Sequence, residues 1–127
     1  MAHKYDHQTI STANSTISRT PKNGTFVQAG LLVQDSAGGE FELANGTKPI
    51  FGVVIGLDGT FNSVGTNQSI AIQSEEITCQ VDGDYAAGDV AYSTIDGKAT
   101  ASNTNVDSAF GIFSKSKSGN IAFVRRL

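Results

Sequence analysis

Apolar residues fall along this chain in two regimes, and the change comes near Thr25. From there on they form short alternating or continuous runs separated by Gly, Asn, Asp and Ser. Thr25–Val27 reads as a short strand, Gln28-Ala29-Gly30 as a turn and Leu31–Gln34 as a strand. Ser36–Gly39 reads as a loop, and Glu40–Leu43 as a return strand with Phe41 and Leu43 on one face. Pro49–Ile55 is the most apolar run. Too short for a membrane and dense in β-branched residues, it predicts a central strand buried on both faces. Ser69–Gln73 and Glu76–Val81 alternate as half-buried strands should. Ala109–Phe113 reads as a strand, Lys115–Asn120 as a polar hairpin loop and Ile121–Leu127 as the closing strand. No window carries a sustained helical stripe; a single short helix around Ser102–Ser108 stays open, and Phe61–Asn67 has no clear pattern.

The clearest local signal is Val90–Ser93, then Ile95-Asp96-Gly97, then Lys98–Thr100. Asp-Gly between two short runs predicts a β-hairpin, because both residues tolerate the positive φ of a tight turn. A device also recurs. Ala29-Gly30, Val33, a hairpin and Phe51-Gly52-Val53 match Ala87-Gly88, Val90, a hairpin and Phe110-Gly111-Ile112, with nearly equal spacing. A Gly after a buried Phe permits a bend or a close backbone approach. True duplication and chance similarity in a Gly-rich chain both remain open on this pattern.

Composition points the same way. The 127 residues, 39% of them hydrophobic, supply one small core, and 14 Gly against 2 Pro suit many short strands joined by turns. The expected fold is therefore all-β. The expected organisation is an N-terminal arm over residues 1–24 and a β domain over 25–127. In residues 1–24 Ile10 and Ile17 are the only aliphatic side chains larger than Ala, too few to bury a face. Tyr5, Ile10 and Ile17 are spaced as anchors on a partner would be; a terminus without a role is the alternative. The N-terminal residues have no apolar leader core and no transmembrane stretch, so the expectation is synthesis in a cytosol and no membrane. The four Asn-x-Ser/Thr triplets at Asn14, Asn23, Asn45 and Asn67 then read only as turn and loop residues.

Candidate chemistry is sparse. His3, Asp6 and His7 have a helix-like spacing but no scaffold to hold a metal. Glu75 and Glu76 are adjacent, so on a strand they point to opposite faces. Glu40 and Glu42 would share a solvated face. Asp82 and Asp84 flank Gly83 as in calcium loops, but no further ligands follow. Cys79 sits in the Ile77-Cys79-Val81 alternation and reads as a small buried hydrophobe. The expectation is no enzyme, no cofactor and no metal. A net charge of −3 leaves no footprint for nucleic acid. Lys115, Lys117, Arg125 and Arg126 read as a solvated strand end or a patch that meets an acidic surface.

Three motifs carry a resemblance. They are Ala87-Gly88-Asp89-Val90-Ala91-Tyr92 with Asp96–Thr100, then Phe110-Gly111-Ile112, then Gly119–Leu127 ending in Val124-Arg125-Arg126-Leu127. Phe51-Gly52-Val53 fits the upstream strand. Over residues 25 to 127 the chain resembles small bacteriophage capsid decoration (cement) and head-fibre-base proteins. The resemblance implies a small β-barrel or β-tulip-like domain and a homo-oligomer, most simply a trimer. It also implies an arm that clasps the major capsid protein or a sister subunit on the capsid exterior of a virion. A carbohydrate-binding or adhesin module is the competing reading, and the absence of Trp speaks against it. A tail or neck ring component is the other.

Overall fold

A computed structural model of the protein describes residues 16–55, 59–61, 68–71, 76–102 and 109–126. The described residues form twelve strands and one 3₁₀ turn, Ala37–Gly39. In chain order the strands are β1 (Thr16–Arg19), β2 (Thr25–Val27), β3 (Leu32–Asp35), β4 (Phe41–Leu43), β5 (Ile50–Ile55) and β6 (Gly59–Phe61). Then follow β7 (Gln68–Ala71), β8 (Glu76–Gln80), β9 (Val90–Ser93), β10 (Ala99–Thr100), β11 (Ala109–Ser118) and β12 (Ile121–Arg126). The fold is all-β, as the sequence predicts.

Two five-stranded antiparallel sheets hold ten of the strands, in the orders β4-β3-β5-β7-β1 and β10-β9-β11-β12-β8; β2 and β6 form a separate ribbon. The two orders are one topology used twice. In each sheet a hairpin (β3–β4 or β9–β10) receives a third strand (β5 or β11) beside its first member. A fourth strand (β7 or β12) then lies against the third, and the first strand in sequence (β1 or β8) closes the order. Each sheet also closes on itself. The chain leaving β1 makes a parallel bridge from Pro21 to Phe41 of β4, and the chain leaving β8 makes one from Val81 to Ala99 of β10. Two small barrels result, and closure satisfies backbone groups that an open edge would expose.

The duplication reaches single bonds. Gly30 N donates to Val54 O at 2.8 Å, and Gly88 N donates to Phe113 O at 2.7 Å. Ser36 N donates to Glu40 O and Thr94 N to Lys98 O, both at 2.8 Å. Both Phe-Gly pairs form the same irregularity. The β3–β5 register passes over Phe51 between Gly52 and Ile50, and the β9–β11 register passes over Phe110 between Gly111 and Ala109. Such a bulge resets the alternation of facing. It explains how Ile50 and Val53, three residues apart, join the same hydrophobic cluster. The turn glycines Gly39 and Gly97 stand at matching positions with φ of 79° and 80°. The recurrence in the sequence is therefore a structural repeat and not a coincidence of composition.

β5 lies at the centre of its sheet and is buried on both faces. Val54 enters the core of the first barrel with Val27, Val33, Phe41 and Ile70. Val53, Ile50 and Ile55 point the other way. They join Leu32 and Ala44 in a cluster continuous with the second barrel's Ile77, Ala91, Phe113 and Val124. The barrels are thus fused through one core. At about 25 cal/mol per Å² of apolar area buried, such a shared surface is what couples two sub-barrels too small to be secure alone.

Three expectations change. Residues 16–24 of the expected arm belong to the barrel, because β1 pairs with β7 and Lys22 N donates to Phe41 O at 2.7 Å. Lys115–Ser118 is not loop: β11 continues through Ser118, and only Gly119-Asn120 turns. Its polar side chains face solvent on a hairpin that outruns the core, so hydrophobic alternation could not reveal it. Ser36–Gly39 contains the 3₁₀ turn rather than plain loop. The possible helix near Ser102–Ser108 lies mostly outside the described residues.

Candidate functional site

Of the three expected anchors, Tyr5 and Ile10 lie outside the described residues. Ile17 is on β1, half-buried and packed against the first barrel's core, so its side chain is engaged within its own chain. His3, Asp6, His7 and Glu75 also lie outside the described residues. Among those described, no group of three His, Cys, Asp or Glu side chains is placed to hold a metal ion.

Three of the acidic candidates, Asp84, Glu76 and Glu42, are held in structural contacts. Asp84 pairs with Lys117 at 2.7 Å, while Lys117 Nζ also donates to Gly83 O at 3.0 Å. That hydrogen bond and charge hold the Asp84 carboxyl below its ordinary value. Glu76 accepts from Ser114 Oγ and lies 3.9 Å from Lys115 Nζ. Glu42, expected on a solvated face, is drawn inward by Gln34. The Gln34 side chain is fully buried; its Nε2 donates to Glu42 Oε2 at 2.6 Å and to Thr47 Oγ1 at 3.1 Å, and its Oε1 accepts from Asn45 N. A buried amide must be satisfied in this way, and here it pins the Asn45–Thr47 loop. Nothing in the sequence marked Gln34, because a polar residue in a short strand is ordinarily read as outward-facing.

Cys79 is fully buried, and burial pushes its thiol up to about 12. A thiol so protonated and enclosed is neither nucleophile nor redox switch. The basic cluster disperses. Lys115 sits 4.5 Å over the Phe123 ring, Lys117 is paired with Asp84, and Arg126 donates to Ile50 O at 3.1 Å across the two barrels. Burial holds Arg126 below its ordinary value. Tyr85 stacks on Phe113 at 3.8 Å and donates to Lys115 O at 2.7 Å.

Among large apolar side chains of the described residues, Ile95 is 84% exposed at the β9–β10 turn, Phe26 48% on β2 and Val90 38% on β9. No family model matches the chain, and no curated protein matches it.

Proposed function

We propose that this chain is a structural protein of a phage virion. In this reading it decorates and stabilises the capsid exterior, with residues 1–15 clasping the major capsid protein and the β domain forming a homo-oligomer, a trimer being the simplest. The observation that supports it most directly is where the motifs of the resemblance fall. Ala87–Tyr92, Phe110-Gly111-Ile112 and Gly119–Arg126 lie on or beside β9, β11 and β12, three neighbouring strands of one sheet. They build one body together, as motifs of a shared fold do. The polar segment with Tyr5 and Ile10 then precedes β1, whose described pairing is with β7. A weak contact by each arm, repeated over several linked subunits, gives high avidity.

The test is binding of the full chain, and of a chain starting at residue 16, to undecorated phage heads, read by co-sedimentation and by the temperature at which the heads open. Truncation stops at residue 15 because removing β1 would open the first barrel. The full chain is expected to bind and to raise the opening temperature, and the shortened chain to lose both effects. A full chain indifferent to heads overturns the reading.

A further inference from the structure

The two barrels are related head to tail, and that leaves one copy of their mutual interface unused at each end. The first barrel docks with the outer face that carries Ala29, Leu32, Ala44, Ile50 and Val53; all but half-buried Ala29 are buried. The second barrel receives it at the Thr94–Lys98 turn and at Gln80. Leu32 N donates to Gly97 O at 2.7 Å, Gln80 N donates to Gly30 O at 2.8 Å, and Gln80 Nε2 donates to Ala29 O at 2.9 Å. The fit is close: a Cβ at Gly97 would lie 2.8 Å from Leu32 O.

Applying the repeat to this interface gives its counterparts. On the second barrel Ala87, Val90, Ser102, Ala109 and Ile112 occupy the places of Ala29, Leu32, Ala44, Ile50 and Val53. None is charged, and none is buried: Ala87, Val90 and Ser102 are exposed, Ala109 and Ile112 half-buried. On the first barrel the Ser36–Glu40 turn occupies the place of the Thr94–Lys98 turn. Gly38 and Gly39 there have open space where a Cβ would point. One molecule thus presents an uncovered docking face at one end and an uncovered receiving turn at the other.

We propose that these two surfaces bind each other between copies of this chain, the Val90–Ile112 face of one molecule seating on the Ser36–Glu40 turn of the next. The occupant is a second copy because its first barrel carries, at Ser36–Glu40, the counterpart of the turn that meets Leu32 within the chain. A contact of this kind is heterologous: repeated, it closes into a ring or runs on as a filament, and it does not stop at a two-fold dimer. The inference rests on the repeat and stands without the capsid reading.

Light scattering of the free protein tests it. At about 100 μM the full chain is expected well above the 13.3 kDa of one chain. Val90→Lys, at an exposed position, is expected to return the mass to one chain while leaving the circular dichroism unchanged. Cross-linking sets the polarity. Chains carrying Val90→Cys and chains carrying Ala37→Cys, joined by a short bis-maleimide, should link when mixed, and neither should link to itself; Cys79 is buried and contributes no background. A monomeric full chain, an assembly untouched by Val90→Lys, or self-linking of the Val90→Cys chain would each overturn the proposal. A monomer that binds heads removes this interface, and with it the homo-oligomer of the capsid reading, but leaves the head binding; a ring indifferent to heads removes the capsid reading alone.

Discussion

The first and second barrels share strand order, bulges and turn bonds, yet they are filled differently. Where the first places Phe41, Leu43 and Val33, the second places Ala99, Ala101 and Ala91. Where the first has Val54 and Val27, the second has Phe113 and the stacked ring of Tyr85. Bulk lost from one wall is restored from the other. Interiors are close-packed, so each barrel must be filled, but the backbone does not dictate which strand supplies the filling. The lesson is that this topology is fixed by a few backbone devices. Those are the Ala-Gly turn, the positive-φ Gly39 and Gly97, and the Phe-Gly bulge. The side chains between them differ from one barrel to the other.

The most severe test of that contrast removes the largest side chain from each core. Phe41→Ala and Phe113→Ala are each expected to cost about 3–5 kcal/mol in urea unfolding. Because the barrels share one cluster, both variants should unfold in a single transition. Two separated transitions would show that the barrels are independent.

A smaller effect compares the two turn glycines, which differ in surroundings and not in φ. Gly39→Ala faces open space and should cost about 1 kcal/mol, the strain of a left-handed backbone. Gly97→Ala adds a collision with the Leu32 backbone and should cost about 2–4 kcal/mol. Measured at concentrations where chains are separate, equal losses would mean that the barrel contact at Gly97 is loose.

The smallest effect concerns the polar extension of β11, which gives the second barrel a hairpin beyond its core. Lys117→Ala removes the partner of a fully exposed carboxylate and is expected to leave the melting temperature at pH 7 within a degree. The sign of any pH effect follows from the lowered Asp84. Whatever the pair contributes is present above the ordinary Asp range, near 4, and is lost as pH falls through the lower native value. A marked drop in stability at pH 7 would show that the extension is more than a solvated strand end.

The sequence by itself determined the local elements. The strands at Glu76–Val81 and Pro49–Ile55, the Asp96-Gly97 hairpin and the interior place of Cys79 were legible, although Thr78, on the face that alternation assigns to solvent, is buried as well. Each depends on periodicity or on the φ preference of one or two residues. The paired Phe-Gly motifs were legible too, though only as a pattern with two explanations. Tertiary structure alone decided the rest. Thr16–Arg19 has too few apolar residues to announce a strand, and it becomes one because β7 offers an edge that needs a partner. Gln34 is interior only because Glu42, Asn45 and Thr47, brought together by a hairpin and its following loop, satisfy its amide. Leu32 and Val90 occupy the same place in the repeat, yet one is buried and the other exposed, because only one has a second barrel against it. Local conformation is set by nearby residues. Burial is set by what the folded chain brings into contact, and that cannot be read from spacing along the chain.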